Sequence, residues 1–144
     1  MPIVKVYGLV RNGEFATFYI DGQPHSSGFL RGKLKEAVAG VDSLEIKPFQ
    51  VTVFFLPDFL GLDEQRFDVI ATEDGFENTA SSTISSDVII EISGLFVKER
   101  RTKEVKDLVA KKVVDMMKAY FPERLIECFV YSFHQMLDGF ASTN

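Results

Sequence analysis

Two short stretches of the chain superimpose without a gap: IVKVYGL at 3–9 and IIEISGL at 89–95, an offset of 86 residues (89 − 3). Both read apolar, apolar, charged, apolar, a residue with a polar group (Tyr7, Ser93), glycine, leucine. Each is followed by a helical pattern and then by a second apolar run, PFQVTVFFL (48–56) and LIECFVYSF (125–133). The chain is therefore a duplicated β-α-β unit. A β-α-β crossover is right-handed and makes its two strands parallel. Two such units build an α+β fold: a four-stranded mixed sheet with both helices on one face. The strands carry apolar residues on both sides, so the other face is apolar and uncovered, and self-association is the simplest way to cover it. At 144 residues the chain is expected to be a single domain, 1–144, of two repeats at about 1–60 and 87–140 joined by a polar connection.

The individual elements follow from spacing and punctuation. Residues 3–7 are β-branched and aromatic and stop at Gly8, which reads as a strand. In RNGEFATFYIDGQPH (11–25), the turn pairs Asn12-Gly13 and Asp21-Gly22 flank FATFYI, so a short hairpin or ordered excursion is expected. Ser26 or Ser27 can cap a helix in which Leu30, Leu34, Ala37, Val38 and Val41 recur at helical spacing, with Gly40 at its end. Gly32 inside it costs up to about 1 kcal/mol against alanine, which makes this the weaker of the two helices. PFQVTVFFL reads as a strand stopped by Pro57.

Phe67 to Ala71 reads as a short strand, and EDGFENTASSTISS (73–86) as a loop or loosely ordered hairpin within one compact unit. VIIEISGLF (88–96) is a strand. From Thr102 a helix runs to Tyr120, with Val105, Leu108, Val109, Val113, Met116, Met117 and Tyr120 along one stripe. Thr102 suits the N-cap, Glu104 the positive helix start, and Pro122 ends the segment. LIECFVYSF is the last strand, followed by HQMLDGF (134–140) as a turn or short arm.

Composition excludes several classes of function. A net charge of −5 lacks the basic excess of a nucleic-acid surface. No apolar run is long enough to span a bilayer, and Lys5 and Arg11 interrupt any signal-peptide pattern. A soluble, cytoplasmic protein is expected, with no nucleic-acid and no membrane partner. The single cysteine, Cys128, cannot form an internal disulfide and reads as a small core residue. His25 and His134 have no cysteine partner at metal spacing, and the glycines form no phosphate loop, so neither metal nor cofactor is expected.

Pro2 is the position where the two repeats differ in a chemically important way. Proline has no N–H to give a sheet and is tolerated at the first residue of a strand. The corresponding residue of the second repeat is Val88, so the strand itself does not require proline. A small residue after Met1 favours removal of the initiator methionine, which leaves Pro2 with a free secondary amine. Ordinary α-amino groups titrate near pKa ~8, and burial beside cations lowers that further. Such an amine is a general base poised near ambient pH. If Met1 is retained, Pro2 is an amide and only a strand start.

The order MP-strand, helix, strand, followed by a second such unit without proline, resembles the tautomerase superfamily. The resemblance is to its long-chain branch, like macrophage migration inhibitory factor and cis-3-chloroacrylic acid dehalogenase. The segment SGLFVKERRTKEVKDLVAKKVVDMM (93–117) is similar to the family's strand-to-helix junction, in which a small loop with a basic residue precedes a Ser/Thr-capped helix. The resemblance spans most of the chain, but 11–25 and 73–86 are poorly covered.

It implies a homotrimer in which an amino-terminal proline moves a proton beside a carbonyl, without cofactor, on a 2-oxo acid or unsaturated carboxylate. Pro2 is then the proton carrier, and Arg101 the family arginine. Lys98 and Arg100 stand where a second basic residue would bind the substrate carboxylate. Guanidinium forks hold carboxylates bidentately and stabilise developing enolate charge. Without the resemblance KERR is a solvated turn. Glu127 and Tyr131 lie on the last strand, where the dehalogenase branch uses an acid and tyrosines, or are surface or interface residues. The insertion at 11–25 is expected at the mouth where a substrate enters. Two readings remain: a tautomerase-type isomerase, or a non-catalytic oligomeric scaffold or binding protein on the same fold. A ferredoxin-like ligand-binding domain is a third.

Overall fold

The computed structural model describes residues 1–11, 13–57, 67–72, 75–80, 87–134, 138–139 and 141–143. For 11, 67–72, 75–80 and 87 only the backbone is described. The first unit contains β1 (Ile3–Arg11), β2 (Glu14–Phe15), β3 (Phe18–Ile20), β4 (Gln23–His25), α1 (Ser27–Ala39) and β5 (Thr52–Pro57). A hairpin of β6 (Phe67–Thr72) and β7 (Gly75–Ala80) follows, and the second unit is β8 (Asp87–Phe96), α2 (Lys103–Tyr120) and β9 (Leu125–Phe133).

The architecture is α+β. β1 pairs parallel with β5 and antiparallel with β8, and β8 pairs parallel with β9, which gives the sheet order β5-β1-β8-β9. Short β2 adds a fifth strand by folding back on the end of β1. Strand alternation sends Val4, Val6, Val53, Val88, Ile90, Ile92 and Ile126 into one core with Leu30, Leu34 and Val38 of α1 and Val109, Val113 and Met117 of α2. Both helices therefore cover the same face, and Lys112 of α2 donates to the Gly40 carbonyl at the end of α1 (3.0 Å). The opposite face carries Phe54, Ile89, Leu125, Phe129 and Tyr131, each at least 40% exposed.

The observed elements correct several expectations. β1 does not stop at Gly8; it passes through a bulge there (φ +100°) and continues to Arg11. FATFYI divides at Ala16-Thr17, because Glu14–Phe15 pairs with β1 while Phe18–Ile20 pairs with β4. Asp21 (φ +50°) and Gly22 (φ +76°) form the two-residue turn between β3 and β4, both left-handed as a type I′ turn requires. Pro48 starts a 3-10 turn, Pro48–Gln50, so the second strand of the first unit begins only at Thr52 and includes Pro57. Of the loop or loosely ordered hairpin expected at 73–86, Gly75–Ala80 is strand β7, in a hairpin with β6; 73–74 and 81–86 lie outside the described residues. In α2 the stripe holds except at Leu108, which is 45% exposed. Positions 135–137 and 140 of the last turn also lie outside the described residues.

Candidate active site

The register of the central strand pair determines what surrounds the chain start. Ile3 pairs with Ser93, Lys5 with Glu91 and Tyr7 with Ile89. Lys5 and Glu91 are related by the 86-residue repeat and face one another, so a pseudo-twofold axis passes between them. The same register places Gly94 beside Pro2. Gly94 takes a left-handed backbone (φ +77°), and a Cβ there would lie 2.4 Å from the Met1 carbonyl oxygen and 3.5 Å from Pro2 Cα. On the other side, Thr52 N–H donates to the Pro2 carbonyl (3.1 Å). Pro2 is buried between these strands, with Met1 exposed over it.

Because β8 runs antiparallel to β1, its end and the following KERR loop return to the end of the sheet where the chain starts. Arg101 is half-buried. Its Nη1 donates to the Phe96 carbonyl and its Nη2 to the Leu44 carbonyl, both at 2.9 Å, which ties β8 to the turn before β5. Its Nε–H is buried without an acceptor. Such an orphan donor costs about 1–3 kcal/mol and marks a position where an acceptor is favoured. Burial lowers the guanidinium's pKa from the ordinary arginine value, and the Glu45 carboxylate acts in the opposite direction. It remains a cation at any physiological pH. Arg100 pairs with Glu45 (2.9 Å) on the surface, and Lys98 is exposed with no ion-pair partner among the described residues. Thr102 Oγ1 accepts from Val105 N–H (3.3 Å), fixing the start of α2 directly after Arg101.

Pro2, Lys98, Arg100 and Arg101 are thus gathered at one end of the sheet by strand order. No hydrogen bond joins Pro2 to these cations among the described residues. Glu127 pairs with Ile89, and Glu127 and Tyr131 stand on the face away from the helices. Cys128 points the other way, and burial pushes its thiol up to about 12, the behaviour of a core residue. Among the described residues no cluster of His, Cys, Asp and Glu could hold a metal. No described helix is long and apolar enough to cross a membrane.

The insertion at 11–25 corrects an expectation. It follows the far end of β1 and so lies at the opposite end of the sheet from Pro2. Two contributors escaped the sequence reading. Gly94 was visible in the repeat itself, since both copies carry the glycine, but its role needs the strand register. Glu45, left-handed at φ +56°, meets Arg100 across 55 residues with no local signal. Arg124 lies at the opposite end, where its Nη1 donates to the Gly8 carbonyl (2.7 Å).

No protein-family model and no curated protein matches the sequence. Solved structures do match. A wild-type symmetric trimer of fused 4-OT aligns at TM-score 0.52 and 14% identity, over 96% of this chain and 91% of that one. Malonate semialdehyde decarboxylase aligns at TM-score 0.50 and 10% identity over 99% and 92%. A domain of unknown function from Sebaldella termitidis aligns at TM-score 0.50 and 11% identity over 96% and 94%. At these identities the likeness concerns the fold, which agrees with the duplicated unit and its strand order: the chain has the tautomerase-superfamily fold.

Proposed function

We propose that the protein is a cofactor-independent, tautomerase-type enzyme in which Pro2, freed by removal of Met1, moves a proton on a 2-oxo acid or related unsaturated carboxylate. The observation that carries this reading is the bulge at Gly94, where the missing β-carbon lets the strand that leads into the cationic loop pass close against Pro2. In this reading the secondary amine takes a proton from the carbon beside the substrate carbonyl and returns it at the other end of the enol. Arg101 stabilises the developing enolate, and Lys98 and Arg100 attract the carboxylate. The exposed sheet face closes against further copies in a homotrimer, and the 4-OT neighbour is itself a trimer.

The test is the intact mass of untagged protein followed by ketonisation of phenylenolpyruvate. The expected mass lacks one methionine, and Pro2→Ala lowers kcat/KM by about 10²-fold or more. Retained Met1, or a Pro2→Ala variant as fast as its parent, overturns the proposal. A non-catalytic scaffold is then the reading that stands. It is favoured by one feature: both terminal nitrogens of Arg101 already serve main-chain carbonyls.

A further inference from the structure

A cavity of about 330 Å³ opens in the first unit between the start of α1, β2 and the β1–β5 pair. Val10, Phe15, Val53 and Phe55 form its apolar walls, and Ser27 and Arg31 of α1 add polar groups. None of Pro2, Lys98, Arg100 and Arg101 lines this cavity, whose walls run along β5 from Val53, the partner of Val4, to Phe55.

The two units treat the cation of this region differently. In the corresponding turn of α2, Lys106 Nζ donates to Ser132 Oγ of β9 (3.1 Å), so the second unit uses its charge internally. The first unit has Pro57 at the end of β5, which offers no side-chain acceptor. Arg31 instead lies over the Phe55 ring, 5.7 Å from its centroid, and has no ion-pair or hydrogen-bond partner among the described residues. An arginine lying over an aromatic ring is restricted to few orientations while its fork stays free to accept a planar anion.

We infer that this cavity binds a small carboxylate with an apolar body, such as an arylcarboxylate, with Arg31 on the carboxylate and Phe15, Val10, Val53 and Phe55 around the body. One guanidinium with no partner among the described residues matches a monoanion better than a polyphosphate, which needs several cations, and the aromatic and aliphatic side chains beside it suit an apolar body. The volume lies at the lower end of the range for small-molecule pockets, which limits the ligand to about one ring and its carboxylate. The site is independent of Pro2 and of Met1 removal. It also gives the insertion a role, because Phe15 of β2 supplies one wall.

The test is titration of the ¹⁵N-labelled full chain with benzoate, observed by amide shifts. Saturable shifts at residues 10–15, 27–31 and 53–55 are expected. Arg31→Gln, an exposed position, should weaken benzoate binding about tenfold or more while leaving the spectrum folded. Benzyl alcohol, which keeps the ring and loses the charge, should bind comparably weakly to parent and variant. Shifts confined to the Pro2 end, an Arg31→Gln variant that binds benzoate like the parent, equal binding of the alcohol and the acid, or no saturable binding would each overturn the inference. Loss of tautomerase activity alone would leave these shifts unchanged, so the two proposals fail separately.

Discussion

Gly8 and Gly94 stand at equivalent places in the two units, and both turn left-handed at a bulge, with φ of +100° and +77°. In a sequence, a glycine after alternating apolar residues reads as the end of a strand, and at Gly8 that reading is wrong. The same residue type serves either purpose, and only the partner strand decides which. At Gly94 the partner is the chain start. Any β-carbon there meets the Met1 carbonyl at 2.4 Å, and backbone cannot rotate aside as a flexible side chain can. Gly22 provides the control, being left-handed with nothing within 4 Å. Gly22→Ala should therefore lose only the left-handed strain, about 1–2 kcal/mol, and Gly94→Ala at least about 1 kcal/mol more. Urea unfolding of both variants, in protein whose intact mass includes Met1, checks this; equal losses there would mean that the Met1–Pro2 peptide moves away from Gly94 at no cost. The residue types of the candidate site were legible in the sequence, but their contacts were not. Arg101 meets the Leu44 carbonyl across 57 residues, a partner that exists only once β5 and β8 flank β1.

The two helices show how far periodicity carries at the scale of an element. Both present buried residues every fourth position, Leu30-Leu34-Val38 and Val109-Val113-Met117, and both were readable from that spacing alone. What spacing could not decide was the edge of the buried stripe. Leu108 adjoins Val109 but is displaced by about 100° around the helix, and it remains largely exposed. Their ends also differ. Thr102 caps α2 with its side chain, whereas Ser26 makes no side-chain cap bond to α1. Gly32 adds a further weakness to α1, and a Cβ there would meet nothing within 4 Å. Gly32→Ala should therefore raise the unfolding free energy by about 0.5–1 kcal/mol, since the helix gains propensity and loses no contact. A decrease measured in urea would show that the open space beside Gly32 is needed by something the isolated chain does not contain.

For the whole molecule the decisive feature is the sheet face that no helix covers. The repeat predicted it: two right-handed units related by an axis between Lys5 and Glu91 must place both helices on one side. Alternation then leaves Ile89, Phe129 and Tyr131 on the other side with Phe54 and Leu125, an exposed apolar set of the kind that marks an interaction site. Phe129 pairs with Glu91, level with the pseudo-axis along the strand direction, and stands on the edge strand β9. Aromatic residues are frequent interface hot spots, and a charge buried in such a contact without a partner is strongly unfavourable. The parent should sediment at three times its 16.2 kDa chain mass, and Phe129→Asp should shift the population toward 16.2 kDa at micromolar concentration. Far-ultraviolet circular dichroism should stay unchanged, because Phe129 is 43% exposed in the single chain and contributes little to its core. A parent that sediments as a single chain would remove the homotrimer, and a Phe129→Asp variant that stays trimeric would place the subunit contact at the sheet edges instead of on this face.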